Sequence, residues 1–171
     1  EVKVNIFYLD KSFTKSAEYH CDKHVVKMIL ETAQLLSTAH RVLDGNDKAD
    51  IVGLYKCTHK NHPSAVWVRS NQGAYQWTFM LFERLCKEYT RRYDKVHKSA
   101  RLLPFLLSYP ENIEFSAWNA ELIPPPQCMP EEYKHEDTVT AYRNYYMGAK
   151  NSFAKWAHSA TPDWWQVEAV G

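Results

Sequence analysis

The sequence predicts a mainly α fold, a single compact domain of three long helices plus shorter helices, with an extended N-terminal arm and a long Pro-rich loop. Three observations carry this. Only 5 of 171 residues are glycine, hydrophobic residues make up 45%, and long windows show apolar residues recurring every three or four positions. A chain of this length buries most of the surface its unfolded form exposes, so one core over residues 1–171 is expected.

The elements follow in order. The apolar run Val2 to Leu9 reads as a strand or an extended arm, and Asp10 to Ser12 as a turn leading to a helix. The first long helix is expected from about Tyr19 to Arg41, free of glycine and proline and stopped by Asp44-Gly45-Asn46-Asp47. The second begins near Ser64 and runs to about Tyr93 with a break at Gly73. Its core face is Tyr75, Phe79, Phe82, Cys86, Tyr89 and Tyr93, a stripe that reads as packing rather than as a stacking platform. Lys98 to Ser108 forms a shorter helix interrupted or ended near Pro104. Tyr109 to Tyr133, with Pro124-Pro125-Pro126 and Pro130, is a long ordered connection of the kind that often carries function. The third long helix is expected from a cap at Asp137 to about His158, before an aromatic tail at Trp164-Trp165.

Bulk properties exclude several classes. A net charge of +1 gives no global attraction to a polyanion, so nucleic-acid binding has to use local patches. Cys21, Cys57, Cys86 and Cys128 form no CxxC pair and suit reduced thiols. No secretion signal or membrane-length apolar stretch is read, so a cytoplasmic protein is expected, with no membrane partner. Walker A, GxGxxG, GxSxG and zinc-finger spacings are missing, which argues against nucleotide hydrolases, Rossmann enzymes, serine hydrolases and zinc fingers.

The first helix carries the strongest chemical signal. At about 100° per residue, His20, His24, Lys27, Glu31 and Gln34 fall on one thin line between two apolar flanks. Such a line faces a cleft or belongs to a paired internal network, because unpaired buried charge is costly. Lys27 and Glu31 stand four apart and could simply pair. In a confined site Lys27 would keep Glu31 ionised while desolvation lowered the lysine's own pKa. A carboxylate, an amine and two imidazoles in one line suit proton transfer or attack on an electrophile.

Other groupings are weaker. His20, His24, His59 and His62 could in principle ligate a metal, but no metalloprotease-type spacing supports it, and neither metal nor cofactor is expected. The turn Asn61-His62-Pro63 feeds a helix whose N-terminus could receive a phosphate, or is a plain capped turn. Arg91, Arg92, Lys95, Lys98 and Arg101 read as a solvated basic face. Arg143 and Lys150, set among tyrosines, are better suited to phosphate contact beside an unpaired base.

The order of these features resembles the pyrimidine-dimer DNA glycosylase family, small helical repair enzymes typified by a phage endonuclease. The likeness runs from Lys3-Val4-Asn5-Ile6 through the Tyr19 to Leu36 helix, Asn61-His62-Pro63, the aromatic helix ending at Arg91-Arg92-Tyr93, and Met129-Pro130-Glu131-Glu132-Tyr133 to Trp164-Trp165. The resemblance implies excision of a damaged or modified pyrimidine from DNA by an amine through an imine, followed by abasic-strand cleavage, with a glutamate assisting ring opening. It places the site on the helix stripe, and Lys23, Lys27, Glu31 and Gln34 match a spacing of bacterial relatives. The chain is divergent: around His20, Cys21 and Asp22 it departs from the Arg-Glu pair of the phage enzyme, so the carboxylate is Glu31 or Asp22, and the nucleophile is an N-terminal amine or a lysine such as Lys27.

The expected catalytic set is therefore Glu31, Lys27, Asp22, His24 and His20, with Lys23, Gln34, Asn61, His62, Arg143 and Lys150 contacting DNA. A monomer is expected, of phage origin and working in the host cytoplasm. The alternatives are a nucleotide- or base-modifying enzyme, metal-assisted through the four histidines, and a non-enzymatic phage protein that binds a host factor. The last reading would be favoured by Lys27 and Glu31 fully buried against each other with no adjoining cleft.

Overall fold

The computed structural model describes residues 5–167, and among them every regular element is helical. Seven α-helices occur in the order α1 (Phe13–Tyr19), α2 (Asp22–Asp44), α3 (Asp47–Val52), α4 (Pro63–Val68), α5 (Gln72–Tyr93), α6 (Leu103–Leu106) and α7 (Thr138–Ala149), with 3-10 turns at Lys98–Leu102 and Glu131–Tyr133. The mainly α expectation holds. No helix among the described residues is long and apolar enough to cross a membrane.

The core forms where α2 lies along α5. Val25, Met28, Ile29, Leu35 and Leu36 of α2 are buried against Tyr75, Phe79, Leu81, Phe82 and Leu85 of α5. The α5 stripe read as packing is thus packing, with Tyr89 and Tyr93 half-buried at its end. Residues 5–9 form the extended arm, with Ile6 to Leu9 buried; the expected start at Val2 lies outside the described residues.

Boundaries moved for tertiary reasons. The first long helix begins at Asp22, not Tyr19, because His20 and Cys21 are extended and separate α1 from α2. No glycine or proline marks this break. It is held from a distance: the Arg92 guanidinium donates to the carbonyls of Glu18 and His20, and the Tyr146 hydroxyl accepts from the Cys21 amide. The second break falls at Asn71, whose side chain caps α5 through the Ala74 amide, and Gly73 sits inside the helix. The Lys98 to Ser108 stretch is interrupted beside Pro104 as expected, a 3-10 turn ending at Leu102 and Pro104 standing in the first turn of α6. Asp137 caps α7 as expected, but α7 stops at Ala149, nine residues before His158. At the end of α2, Gly45 takes φ 85°, a left-handed value that a side chain resists.

The Pro-rich connection is irregular but anchored. Trp67 Nε1 donates to the Ile123 carbonyl, Tyr142 Oη to the Pro126 carbonyl, and Asn5 Nδ2 to the Cys128 carbonyl at 3.0 Å. The last bond ties the loop to the arm beside α2.

Candidate active site

The solvent side of α2 carries Lys23, Val26 and Lys27 exposed, with Leu30 and Gln34 half-buried. His24 and Glu31 lie at its inner edge, 3% and 8% exposed. The expected line between two apolar flanks is therefore corrected on one side, where Val26 and Leu30 face outward. His20 leaves the line altogether, because it caps the end of α1.

The arm and α7 complete the surroundings of His24 and Glu31. Phe7 stacks on His24 with ring centroids 4.6 Å apart, and Tyr145 of α7 lies 6.1 Å beyond Phe7, nearly parallel to it. Lys150, the residue that ends α7, holds its ammonium 4.8 Å from the Tyr145 ring and 5.9 Å from that of Phe7. Lys23 is placed likewise 4.5 Å from Phe153. Cations over ring faces are attracted by them and held in place. At the edge, Asn5 links the arm to Cys128 and Tyr142, and the Ser64 hydroxyl of α4 touches Cys128 Sγ, so the start of α4 borders the same region.

Burial governs the protonation of this cluster. It raises the Glu31 carboxyl to about 7, although Lys27 and Lys150 pull the other way. The expectation that Lys27 keeps Glu31 ionised is thereby corrected: desolvation outweighs the lysines. Lys27 itself is exposed rather than desolvated, and no ion pair within 4 Å joins it to Glu31 among the described residues. The buried Lys27–Glu31 pair that would have favoured the non-enzymatic reading is not formed. His24 is pushed down to about 2, first by burial and then by His20, Lys150, Lys27 and Lys23, so its ring is neutral. Its Nδ1 is hydrogen-bonded to Tyr146 Oη at 2.7 Å.

The other expected residues go elsewhere. Asp22 receives the Arg92 guanidinium at 3.2 Å and the Ala157 amide at 2.8 Å, in a knot that also contains Glu88. Arg92, read as part of a solvated basic face, is fully buried there at its side chain. His20 is fully buried, donates from Nδ1 to the Ser16 carbonyl at 2.6 Å, and is lowered to about 4 by burial. Arg143 donates to the Leu9 carbonyl and to Asp10, with Tyr19 and Trp164 against its guanidinium. His62 accepts the Ser64 amide as the cap of α4, while Asn61 is exposed beside it. With His20 turned to α1, His24 to Tyr146 and His59 held by Thr58, the four histidines do not converge. No group of three or more potential ligands for a metal occurs among the described residues. The metal-assisted alternative loses its ligand set.

Sequence reasoning missed Phe7, Tyr145, Tyr146 and Phe153 as parts of this site. Phe7 was legible only as an apolar residue of the arm. The three aromatics lie more than a hundred residues from α2 in sequence.

A stripe of lysines and a buried glutamate on α2, an arm packed on it and an Asn-His-Pro turn at its border repeat the order of elements read from the sequence. The family profile described as pyrimidine dimer DNA glycosylase matches residues 4–101, more than half of the chain. The chain belongs to the pyrimidine dimer DNA glycosylase family. The matched span contains the arm, α2, the Asn61-His62-Pro63 turn and α5, and excludes α7, so Tyr145 and Lys150 lie outside the shared part. No curated protein and no solved structure matches the chain.

Proposed function

We propose that this glycosylase excises a damaged or modified pyrimidine by amine attack on C1′, with Glu31 as its acid-base group. The observation that carries the reading is Glu31 itself, a buried carboxyl raised to about 7 on a lysine-flanked helix. A group near neutrality is present in both protonation states at working pH and can give and take a proton within one cycle. In the first step the amine lone pair forms a bond to C1′ and the glycosidic C–N bond breaks, its electron pair leaving with the pyrimidine, which takes up the proton that the attacking nitrogen releases. Protonated Glu31 gives its proton to the ring oxygen as the sugar opens to the imine. The resulting carboxylate then faces the iminium charge. The Glu31 carboxylate takes a C2′ proton as the 3′ phosphate departs, which cuts the strand, and water then hydrolyses the imine to free the amine.

The amine is the chain's amino terminus or Lys27, as the sequence reading has it. Asp22 is a poorer acid-base group, because Arg92 and the Ala157 amide already occupy its oxygens. Lys23 and Lys150, pinned over aromatic rings, suit contact with the phosphates on either side of an extruded nucleotide; Gln34 on α2, with Asn61 and His62 at the start of α4, would be further contacts. Arg143 supports the turn at Asp10 instead.

Borohydride trapping tests the mechanism. Incubation with a duplex carrying a thymine dimer or an abasic site should yield a covalent protein–DNA adduct, mapped by mass spectrometry to the amino terminus or to Lys27. A chain with its native first residue that excises the base and gives no adduct would refute the amine step.

A further inference from the structure

The Pro-rich loop does something the glycosylase reading does not use. Between Leu102 and Tyr133 there is no lysine, arginine or histidine, while Glu111, Glu114, Glu121, Glu131 and Glu132 contribute five negative charges. In a chain of net charge +1 this leaves a surplus of six positive charges on the remainder. The same loop holds the two most exposed large aromatic side chains of the described residues, Trp118 at 95% and Phe115 at 77%, with Ile123 at 72% near them in sequence. An exposed tryptophan flanked by two further large apolar groups is a patch of the kind that marks an interaction site.

The patch is built rather than loose. On one side of Trp118 the Glu114 carbonyl accepts from the Gln72 amide, and the Ser116 hydroxyl accepts from the Gly73 amide at 3.2 Å. On the other side the Ile123 carbonyl accepts from Trp67 Nε1 at 2.9 Å. Both anchors lie where α4 meets α5. A broad groove runs beneath the loop, floored by Trp77, Phe13 and Leu122 and bordered by Gln72 and Gln76. Arg84, the cation that packs on Phe13, is paired with Glu83 and does not offset the loop's carboxylates.

We propose that the face of Phe115, Trp118 and Ile123 is a docking surface for a basic polypeptide segment with an apolar anchor. Charge selects the class of partner. Glu114 and Glu121 beside Trp118 repel phosphates, so this face turns DNA away while the lysines of α2 and α7 attract it. A second copy would bring the same carboxylates to the contact. A cationic segment meets the opposite charge at the rim and places its apolar side chain in the groove, where a held tryptophan gives contact area at little entropic cost.

The test uses the whole chain and three labelled synthetic peptides of about 16 residues: an amphipathic lysine/leucine helix, its glutamate/leucine counterpart and polylysine. Fluorescence anisotropy should show the lysine/leucine peptide binding at least about tenfold tighter than the other two. Trp118→Ala and the double change Glu114→Lys with Glu121→Lys should each weaken it by about tenfold or more, with unchanged melting temperature, since these side chains are exposed. Binding that Trp118→Ala leaves intact, or no binding of the lysine/leucine peptide to the wild-type chain, overturns the proposal. So does a loss of duplex-DNA affinity in Trp118→Ala, or a dimer in sedimentation that the same change dissolves. None of these readouts depends on glycosylase activity.

Discussion

Two carboxylate sites lie along α2, the first around the buried Arg92 and the second at the buried Glu31, and they treat charge in opposite ways. At its start, Asp22 and Glu88 surround Arg92, whose fully buried guanidinium also reaches the carbonyls of Glu18 and His20. Burial works against the Glu88 carboxyl, yet Arg91 and Arg92 hold it below the ordinary range. Two and a half turns along, Glu31 has lysines in the neighbourhood and no ion pair among the described residues, and its carboxyl is raised to about 7. The first arrangement satisfies every charge and joins α1, α2 and α5. The second leaves a carboxyl poised to change state. The difference separates charge used to hold the fold from charge available for chemistry.

The largest effect should come from breaking the first site. Arg92→Ala leaves Asp22 and Glu88 facing each other and frees two carbonyls at the α1–α2 break, and loss of one partner of a buried pair costs about 3–5 kcal/mol. Denaturant titration at neutral pH reads it. A loss below about 1 kcal/mol would show that the knot contributes little to holding the break.

Acid should destabilise the protein through two buried histidines, His20 beside the first site and His24 between the two. His20 and His24 have folded values of about 4 and about 2, below the unfolded 6.5. The unfolded chain therefore binds protons first, so their contribution is intact above 6.5 and is lost as pH falls. At pH 5 the loss is about 2 kcal/mol for each ring. His24→Phe should flatten the decline between pH 7 and 5 by about half.

Glu31 should act in the other direction. Its folded value of about 7 stands above the ordinary 4.5, so the folded state binds the extra proton and stability falls as pH rises from 4.5 to 7. Glu31→Gln should then raise stability at pH 8 by up to about 3 kcal/mol and leave it nearly unchanged at pH 4. Under the proposed mechanism the same change lowers turnover by about a hundredfold or more while DNA binding persists. A variant that loses stability at pH 8 would place Glu31 with Asp22 among the structural charges.

This contrast explains what was legible in the sequence. Helical periodicity exposed α2, the core face of α5 and Glu31 with Lys27, because burial follows the local repeat. The Asp137 cap and the Gly45 stop were legible because capping bonds and a positive φ are set by the residue at the helix end itself. The α1–α2 break was not, since its causes are Arg92 and Tyr146, about 70 and 125 residues away. His20 read as a member of the stripe only while the helix was taken to begin at Tyr19. Arg92 read as solvated because spacing shows which face a residue occupies, not which distant carbonyls meet it. Phe7 and Tyr145 came to the site through packing of the arm and α7, which no periodicity records.

The smallest effects should divide two cations that the sequence grouped together. Arg143 gives its hydrogen bonds to Leu9 and Asp10, so Arg143→Ala should cost about 1–3 kcal/mol and leave the salt dependence of DNA binding unchanged. The Lys150 ammonium has only ring faces as partners among the described residues. Lys150→Ala should change stability by less than about 1 kcal/mol, because partly exposed cation–π contacts are weak. If it meets a phosphate, its loss should weaken binding to all duplexes alike and reduce the slope of log affinity against log salt by about one. Titrations of both variants on a dimer-bearing and an undamaged duplex at several salt concentrations read this directly. An altered slope for Arg143→Ala, or an unaltered one for Lys150→Ala, would reverse their assignment and move the DNA track from the Glu31 face to the turn at Asp10.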